Sequence, residues 1–258
     1  MQRIDYSALD KPEILAFVFY PRKDFTGTPP GAHDYRISVD EDVSISCRFH
    51  AISADLPSLL YFHGNGEVVS DYDEIAPMYA GTGLNLFVAD YRGYGASEGR
   101  PTLSNTVADA GVIFRAFADI LQREGHRTDV FVMGRSLGSL SAVEVAYCHQ
   151  DRIKGLIIES GFAAFSSLLS HLGIPAGALV VDDPEVPNLA RVRAIEVPTL
   201  VIHGEYDRLI PVSEGEALFR GSAAADKELL IIPGADHNDI MWTGRQEYFR
   251  AIREFTSA

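Results

Sequence analysis

The stretch Gly134-Arg135-Ser136-Leu137-Gly138 sets a serine between two glycines, each two residues away. A serine hydroxyl that attacks a carbonyl must stand clear of the backbone, and a tight strand-to-helix turn lifts it there. Glycines on either side relieve the crowding such a turn creates. The apolar run Val130-Phe131-Val132-Met133 leads into the turn, and a helical pattern over Leu140 to Cys148 leads out of it. The hydroxyl barely ionises at neutral pH, so it needs an imidazole to take its proton and a carboxylate to orient that imidazole. Among eight histidines, His237 is the best base: it lies in Pro233-Gly234-Ala235-Asp236-His237-Asn238, directly after the apolar run Leu229 to Ile232. His63 and His203 each close an apolar run in a His-Gly pair, where orienting a loop through hydrogen bonds is the expected role. Two carboxylates compete for the acid. Asp207 follows His203-Gly204-Glu205-Tyr206, and Glu159 ends the run Ile153 to Ile158. The N–H of Leu137, at the start of a helix, is a candidate donor to the oxyanion of a tetrahedral intermediate. Arg135, next to the serine, is either a buried ion partner or a solvated charge.

The elements that must position these groups follow a simple order. Tyr35 to Val39 and Ser44 to Ala51, separated by Asp40-Glu41-Asp42, read as an antiparallel hairpin. Short apolar strands are expected at Ser58 to Phe62, Leu84 to Ala89, Asp129 to Met133, Ile153 to Ile158, Thr199 to His203 and Glu228 to Ile232. Helical patterns are expected at Asp73 to Ala80, Leu103 to Arg123 with Ser104 or Thr102 as cap, Val212 to Phe219 and Arg245 to Phe255. Near-continuous apolar strands alternating with amphipathic helices predict an α/β fold: a mostly parallel, twisted sheet covered on both faces, with the hairpin at one edge. Ligands of such sheets bind outside the carboxyl ends of the strands, where every motif above falls.

With 258 residues, 47% of them hydrophobic and 22% charged, the chain suits one large domain with a sizeable core. A formal charge of -14 argues against nucleic acid and anionic lipid as default partners. Two cysteines are too few for a disulfide scaffold and fit a reducing compartment. Met1 to Asp5 lacks the basic and apolar runs of a secretory leader, and Ile14 to Tyr20 is too short to cross a bilayer. A cytoplasmic protein without membrane insertion is expected. No Gly-x-x-x-x-Gly-Lys-Ser/Thr occurs, which counts against a phosphate-binding module.

Taken in order, His63-Gly64, Asp90-Tyr91-Arg92-Gly93-Tyr94-Gly95, Gly134-Arg135-Ser136-Leu137-Gly138, His203-Gly204-Glu205-Tyr206-Asp207 and Gly234-Ala235-Asp236-His237-Asn238 resemble the α/β-hydrolase superfamily. The chain looks most like its small, cap-poor serine esterases and the related α/β-hydrolase-domain depalmitoylases, from about Leu9 onward. The resemblance implies Ser136 as nucleophile, His237 as base, Asp207 as acid, and the N–H groups of Leu137 and Asn65 as oxyanion donors. It implies that Asp90 and Arg92 are scaffold. Asp236 and Asp239 adjoin His237 in sequence and are expected to point elsewhere; the family often has glycine where Asp236 stands, a departure that leaves open a second carboxylate near the imidazole.

The segment 159–198, about 40 residues where ordinary connections run about 2–6, is where the family inserts a cap. Here it is too short for a large lid. Phe162, Phe165, Leu168, Leu169 and Leu172 have helical spacing and are either plain core or the apolar wall of an acyl pocket; Met241 and Trp242 are candidates for the opposite wall. The expected activity is hydrolysis of a carboxylic ester or thioester of a small-molecule acyl substrate through an acyl-serine, with no metal or organic cofactor. An amidase, peptidase or acyltransferase would use the same residues. A serine nucleophile argues against the aspartate-dependent dehalogenases and epoxide hydrolases of this fold, and a non-catalytic binding protein need not keep all three groups.

Overall fold

Among the residues described in the computed structural model, 6–164 and 188–257, eight strands form one sheet in the order β1-β2-β4-β3-β5-β6-β7-β8. The strands are β1 (Ala32–Asp40), β2 (Val43–His50), β3 (Ser58–Phe62), β4 (Asn85–Ala89), β5 (Val130–Arg135), β6 (Gly155–Glu159), β7 (Thr199–Gly204) and β8 (Lys227–Ile232). The hairpin β1–β2 pairs antiparallel and joins β4 antiparallel; every pairing from β4 through β3 to β8 is parallel. In β1 only Ala32 and Ile37 are buried, the other positions being exposed or half-buried, as on an edge strand with one wet face. β3 to β7 are buried at every position because helices cover both faces.

Alternation along the strands separates two cores. Leu60, Phe62, Val132, Ile158 and Val201 point into one cluster, and Leu59, Tyr61, Phe131, Met133, Ile157 and Ile202 into the other. The first is covered by α3 (Leu103–Arg123), α4 (Ser139–Cys148) and α6 (Val212–Gly221), the second by α2 (Ala76–Ala80) and α8 (Arg245–Ser257). Thr102 caps α3: its hydroxyl accepts from the Asn105 N–H at 3.1 Å while Asn105 Oδ1 accepts from the Thr102 N–H at 2.9 Å.

The expected helix over Asp73 to Ala80 is instead a 3-10 turn at Val69–Tyr72 followed by the short α2. Pro77 explains the break, since a proline is tolerated only in a helix's first turn. The apolar run near the N-terminus contains a helix, α1 (Pro12–Val18), with proline at its first position. Two further short helices, α5 (Asn188–Val192) and α7 (Ile240–Thr243), carried too few residues for a periodic signal. Of the expected cap, Phe165, Leu168, Leu169 and Leu172 lie outside the described residues. No helix among the described residues is long and apolar enough to cross a membrane.

Candidate active site

β5 delivers Ser136 at its carboxyl end, followed at once by a 3-10 turn, Ser136–Gly138, and α4. Ser136 has a left-handed φ of 52°, a conformation non-glycine residues rarely adopt and one that throws the side chain clear of the turn. The flanking glycines make the turn possible. A β-carbon at Gly134 would collide with the Gly138 carbonyl and come within 2.8 Å of Ala142 Cβ; one at Gly138 would strike the Phe62 carbonyl. The serine hydroxyl therefore sits where strand, turn and helix all approach more closely than side chains allow.

β8 ends at Ile232 and its loop carries His237; β7, its parallel neighbour, ends at Gly204 and its loop carries Asp207. Gly204 lets the two loops touch, since a β-carbon there would meet the Ala235 carbonyl at 2.7 Å. His237 Nδ1 lies 2.7 Å from Asp207 Oδ2, and His237 Nε2 lies 3.0 Å from Ser136 Oγ. All three side chains are buried, each residue exposing 6% or less of its surface. With the proton on Nδ1, the imidazole donates to the carboxylate and accepts from the hydroxyl, which is the arrangement that draws a proton from serine.

Burial by itself would raise the Asp207 carboxyl, but hydrogen bonds from His203 and His237, and the Ile210 N–H, outweigh it and hold it well below the usual carboxylate range. Asp207 Oδ1 accepts the N–H groups of Leu209 and Ile210, and His203 Nε2 donates to the Ile210 carbonyl at 2.7 Å. His203 thus holds the Asp207 loop rather than reaching Ser136.

Glu159, the rival acid, is turned away from the imidazole. Its Oε2 accepts from Tyr248 Oη at 2.6 Å and its Oε1 lies 3.3 Å from Arg135 Nε. Burial raises its carboxyl despite the nearby guanidinium. Asp236 points elsewhere, as expected. Its Oδ1 accepts the backbone N–H of His237 at 2.8 Å and of Arg208 at 3.0 Å, so it braces the loop instead of facing the ring.

The loop after β3 completes the site. His63 brackets it, with Nδ1 2.8 Å from the Gly64 carbonyl and Nε2 3.1 Å from Asp90 Oδ1. The Asn65 side chain is anchored through both its polar atoms: Oδ1 accepts from Tyr94 Oη at 2.6 Å and the Tyr20 N–H at 3.0 Å, and Nδ2 donates to the Val18 carbonyl at 2.7 Å. Its backbone N–H has no acceptor among the described residues. Leu137 N–H, in the first turn of a helix, has no intrahelical acceptor by geometry. Arg92 makes a two-pronged ion pair with Asp109 of α3, at 2.7 and 2.8 Å, which fixes the segment that carries Tyr94.

The pocket candidates separate. Phe162 has no exposed surface and packs in the main core, the plain-core alternative for that position. Leu172 lies outside the described residues. Met241 is buried and Trp242 exposed; both line a cavity of about 250 Å³ that Tyr61, Tyr72, Arg135 and Glu159 also line. Arg135 is buried, engaged with Glu67, Glu159, the His237 carbonyl and Asn238. Sequence reasoning left its role open and passed over Glu67, Tyr94 and the Val18–Tyr20 backbone; the one local signal was a Glu directly after His63-Gly64-Asn65-Gly66.

Comparison with known proteins agrees with this architecture. Residues 56–177 and 188–241 match the model of a hydrolase family described as serine aminopeptidase, S33. The chain is 31% identical over 219 residues to human alpha/beta hydrolase domain-containing protein 17B, covering 83% of this chain and 71% of that protein. It superposes on the Pyrococcus furiosus esterase Pf2001 with a TM-score of 0.74 at 18% identity, over 92% of this chain and 98% of that one. It superposes on Est1E from Butyrivibrio proteoclasticus with ferulic acid bound, with a TM-score of 0.69 at 21% identity, over 86% of this chain and 98% of that one. Fold, motif order and family match converge: the chain belongs to the serine aminopeptidase S33 family of hydrolases, within the α/β-hydrolase superfamily.

Proposed function

We propose that this protein is a serine hydrolase that cleaves a carboxylic ester or thioester through an acyl-serine intermediate. The observation that carries the reading is the unbroken chain Ser136 Oγ, His237, Asp207, with steps of 3.0 and 2.7 Å. Ser136 attacks the acyl carbonyl as His237 Nε2 takes its proton. His237 returns that proton to the leaving oxygen or sulfur, then activates a water that releases the acid. Asp207 keeps the proton on Nδ1 and stabilises the imidazolium. The N–H groups of Leu137 and Asn65 hold the oxyanion, where loss of one donor typically costs about 3 kcal/mol. No step calls for a metal or organic cofactor. A reducing cytoplasm is the location this reading assigns, and two cysteines, too few for a disulfide scaffold, accord with it.

The experiment is covalent labelling with a fluorophosphonate, wild type against Ser136→Ala, together with hydrolysis of p-nitrophenyl acetate. Labelling and turnover in the wild type and neither in the variant is the expected result. Equal labelling of both removes Ser136 from its role. Because the matched family is described as an aminopeptidase, an aminoacyl p-nitroanilide belongs in the same assay. Turnover of the anilide above the ester moves the reading to amide hydrolysis by the same residues.

A further inference from the structure

Three segments must hold their relative positions for Ser136 to react: its own turn, the His237 loop and the Gly64–Asn65 loop. They come from separate parts of the chain, and one side chain touches all three. Arg135 is the last residue of β5 and covalently adjoins Ser136. Its Nη2 donates to the His237 carbonyl and to Asn238 Oδ1, both at 2.9 Å. Its Nη1 donates to Glu67 Oε1 at 2.5 Å. The other Glu67 oxygen accepts the Gly64 N–H at 2.7 Å and Tyr72 Oη at 2.8 Å. Its Nε faces Glu159 Oε1 at 3.3 Å, across the β5–β6 pairing of the same two residues. Gly64 lies directly on the guanidinium, and a β-carbon there would overlap Nη1.

We propose that Arg135, with Glu67, is a positioning pair that sets the His237 imidazole and the Asn65 N–H against the Ser136 hydroxyl. The proposal rests on the hydrolase reading above and concerns geometry within the same site. Neither residue reaches the reacting atoms. Arg135 acts through the carbonyl of the base and Glu67 through the amide next to the oxyanion donor.

The chemistry of the pair fits that role. A guanidinium presents five N–H donors in one rigid plane and can serve three directions at once; a lysine ammonium is a point charge that cannot. Arg135 exposes 8% of its surface. Burial alone would lower its pKa, but the Glu67 and Glu159 carboxylates overcome that and keep it charged. Burial alone would raise the Glu67 carboxyl, but Arg135, His63, Tyr72 and the Gly64 N–H bring it below its ordinary value. A buried guanidinium held by several acceptors is stiff, since every partner lost leaves its charge unsatisfied. Placement errors near an ångström cost on the order of a hundredfold in rate.

The test compares wild type with Arg135→Lys, Arg135→Ala and Glu67→Gln, using p-nitrophenyl acetate. Active sites are counted in each preparation by fluorophosphonate titration, so that kcat refers to competent serines only. Expected is a fall in kcat per titrated site on the order of a hundredfold for Arg135→Lys and Arg135→Ala and about tenfold for Glu67→Gln, with KM within about threefold. Added methylguanidinium restores at least part of the activity of Arg135→Ala and leaves Ser136→Ala inert. A purely structural role predicts fewer titratable sites, each with wild-type kcat, and that result overturns the proposal. So does wild-type kcat in a well-folded Arg135→Lys or Glu67→Gln, the two variants that decide if Arg135→Ala does not fold. Absence of fluorophosphonate labelling in the wild type removes the hydrolase reading and this proposal together, whereas labelled wild type with unaffected variants removes this proposal alone.

Discussion

Gly138 lies against the Phe62 carbonyl so closely that no β-carbon fits between them. The contact joins the turn after Ser136 to the end of β3, the strand whose loop carries Asn65. Gly138→Ala must push the two apart. Overpacking of this kind costs about 1–3 kcal/mol. Calorimetry is expected to show a melting temperature lower by several degrees, with kcat reduced on the order of tenfold or more. An unchanged melting temperature would show that the turn yields more easily than its geometry suggests.

The identity of the acid is decided by a pair of substitutions. Asp207→Asn removes the group 2.7 Å from Nδ1 and is expected to lower kcat by roughly 10⁴-fold. Glu159→Gln is expected to cost no more than about tenfold, because that carboxyl faces Tyr248 and Arg135. The opposite ranking in steady-state kinetics assigns the acid to Glu159.

Asp207 also links stability to pH. Its carboxyl is held below its unfolded value, which is about 3.9. The folded state therefore gains from its ionisation above about pH 4 and loses that gain as pH falls through the lowered folded value. Urea unfolding of wild type and Asp207→Asn is expected to show a difference that is fully developed at pH 6 and smaller at pH 3. A difference that stays constant over that range contradicts the assignment.

The Asn65 side chain is anchored at three points, to Val18, Tyr20 and Tyr94. Asn65→Ala keeps the backbone N–H but releases all three anchors. We expect kcat to fall on the order of tenfold to a hundredfold. Tyr94→Phe removes one anchor, worth about 1 kcal/mol, and is expected to cost less than about tenfold. Wild-type kcat in Asn65→Ala would show that the three side-chain anchors are not needed to place that N–H.

What the sequence made readable was local. A buried strand running into Gly-x-Ser-x-Gly is a short-range pattern, and it located Ser136 and the helix after it. Strands buried on both faces stood out as apolar runs. The carboxylate partner was harder, because Glu159 ends β6 and Asp207 closely follows β7, and only strand order separates them. Since β8 pairs with β7, His237 meets Asp207, and Glu159 on β6 is one strand farther away. Arg135 was illegible for the same reason in stronger form: its partners Glu67, Glu159, His237 and Asn238 come from three distant stretches of chain. The α2 boundary failed on a single residue, Pro77, whose helical pattern continued on both sides.

The parallel pairing of β3, β5, β6, β7 and β8 has a consequence for how the protein becomes active. Phe62 is level with Gly134, Arg135 with Glu159, and Gly204 with Ile232. A strand advances about 3.3 Å per residue, so a slip of one position anywhere in this series would exceed the length of the hydrogen bonds it has to support. Turnover during refolding therefore acts as a vernier on the sheet. A collapsed chain with native helix content but one misaligned strand would be silent, and the first appearance of activity marks the moment all five strands come into line.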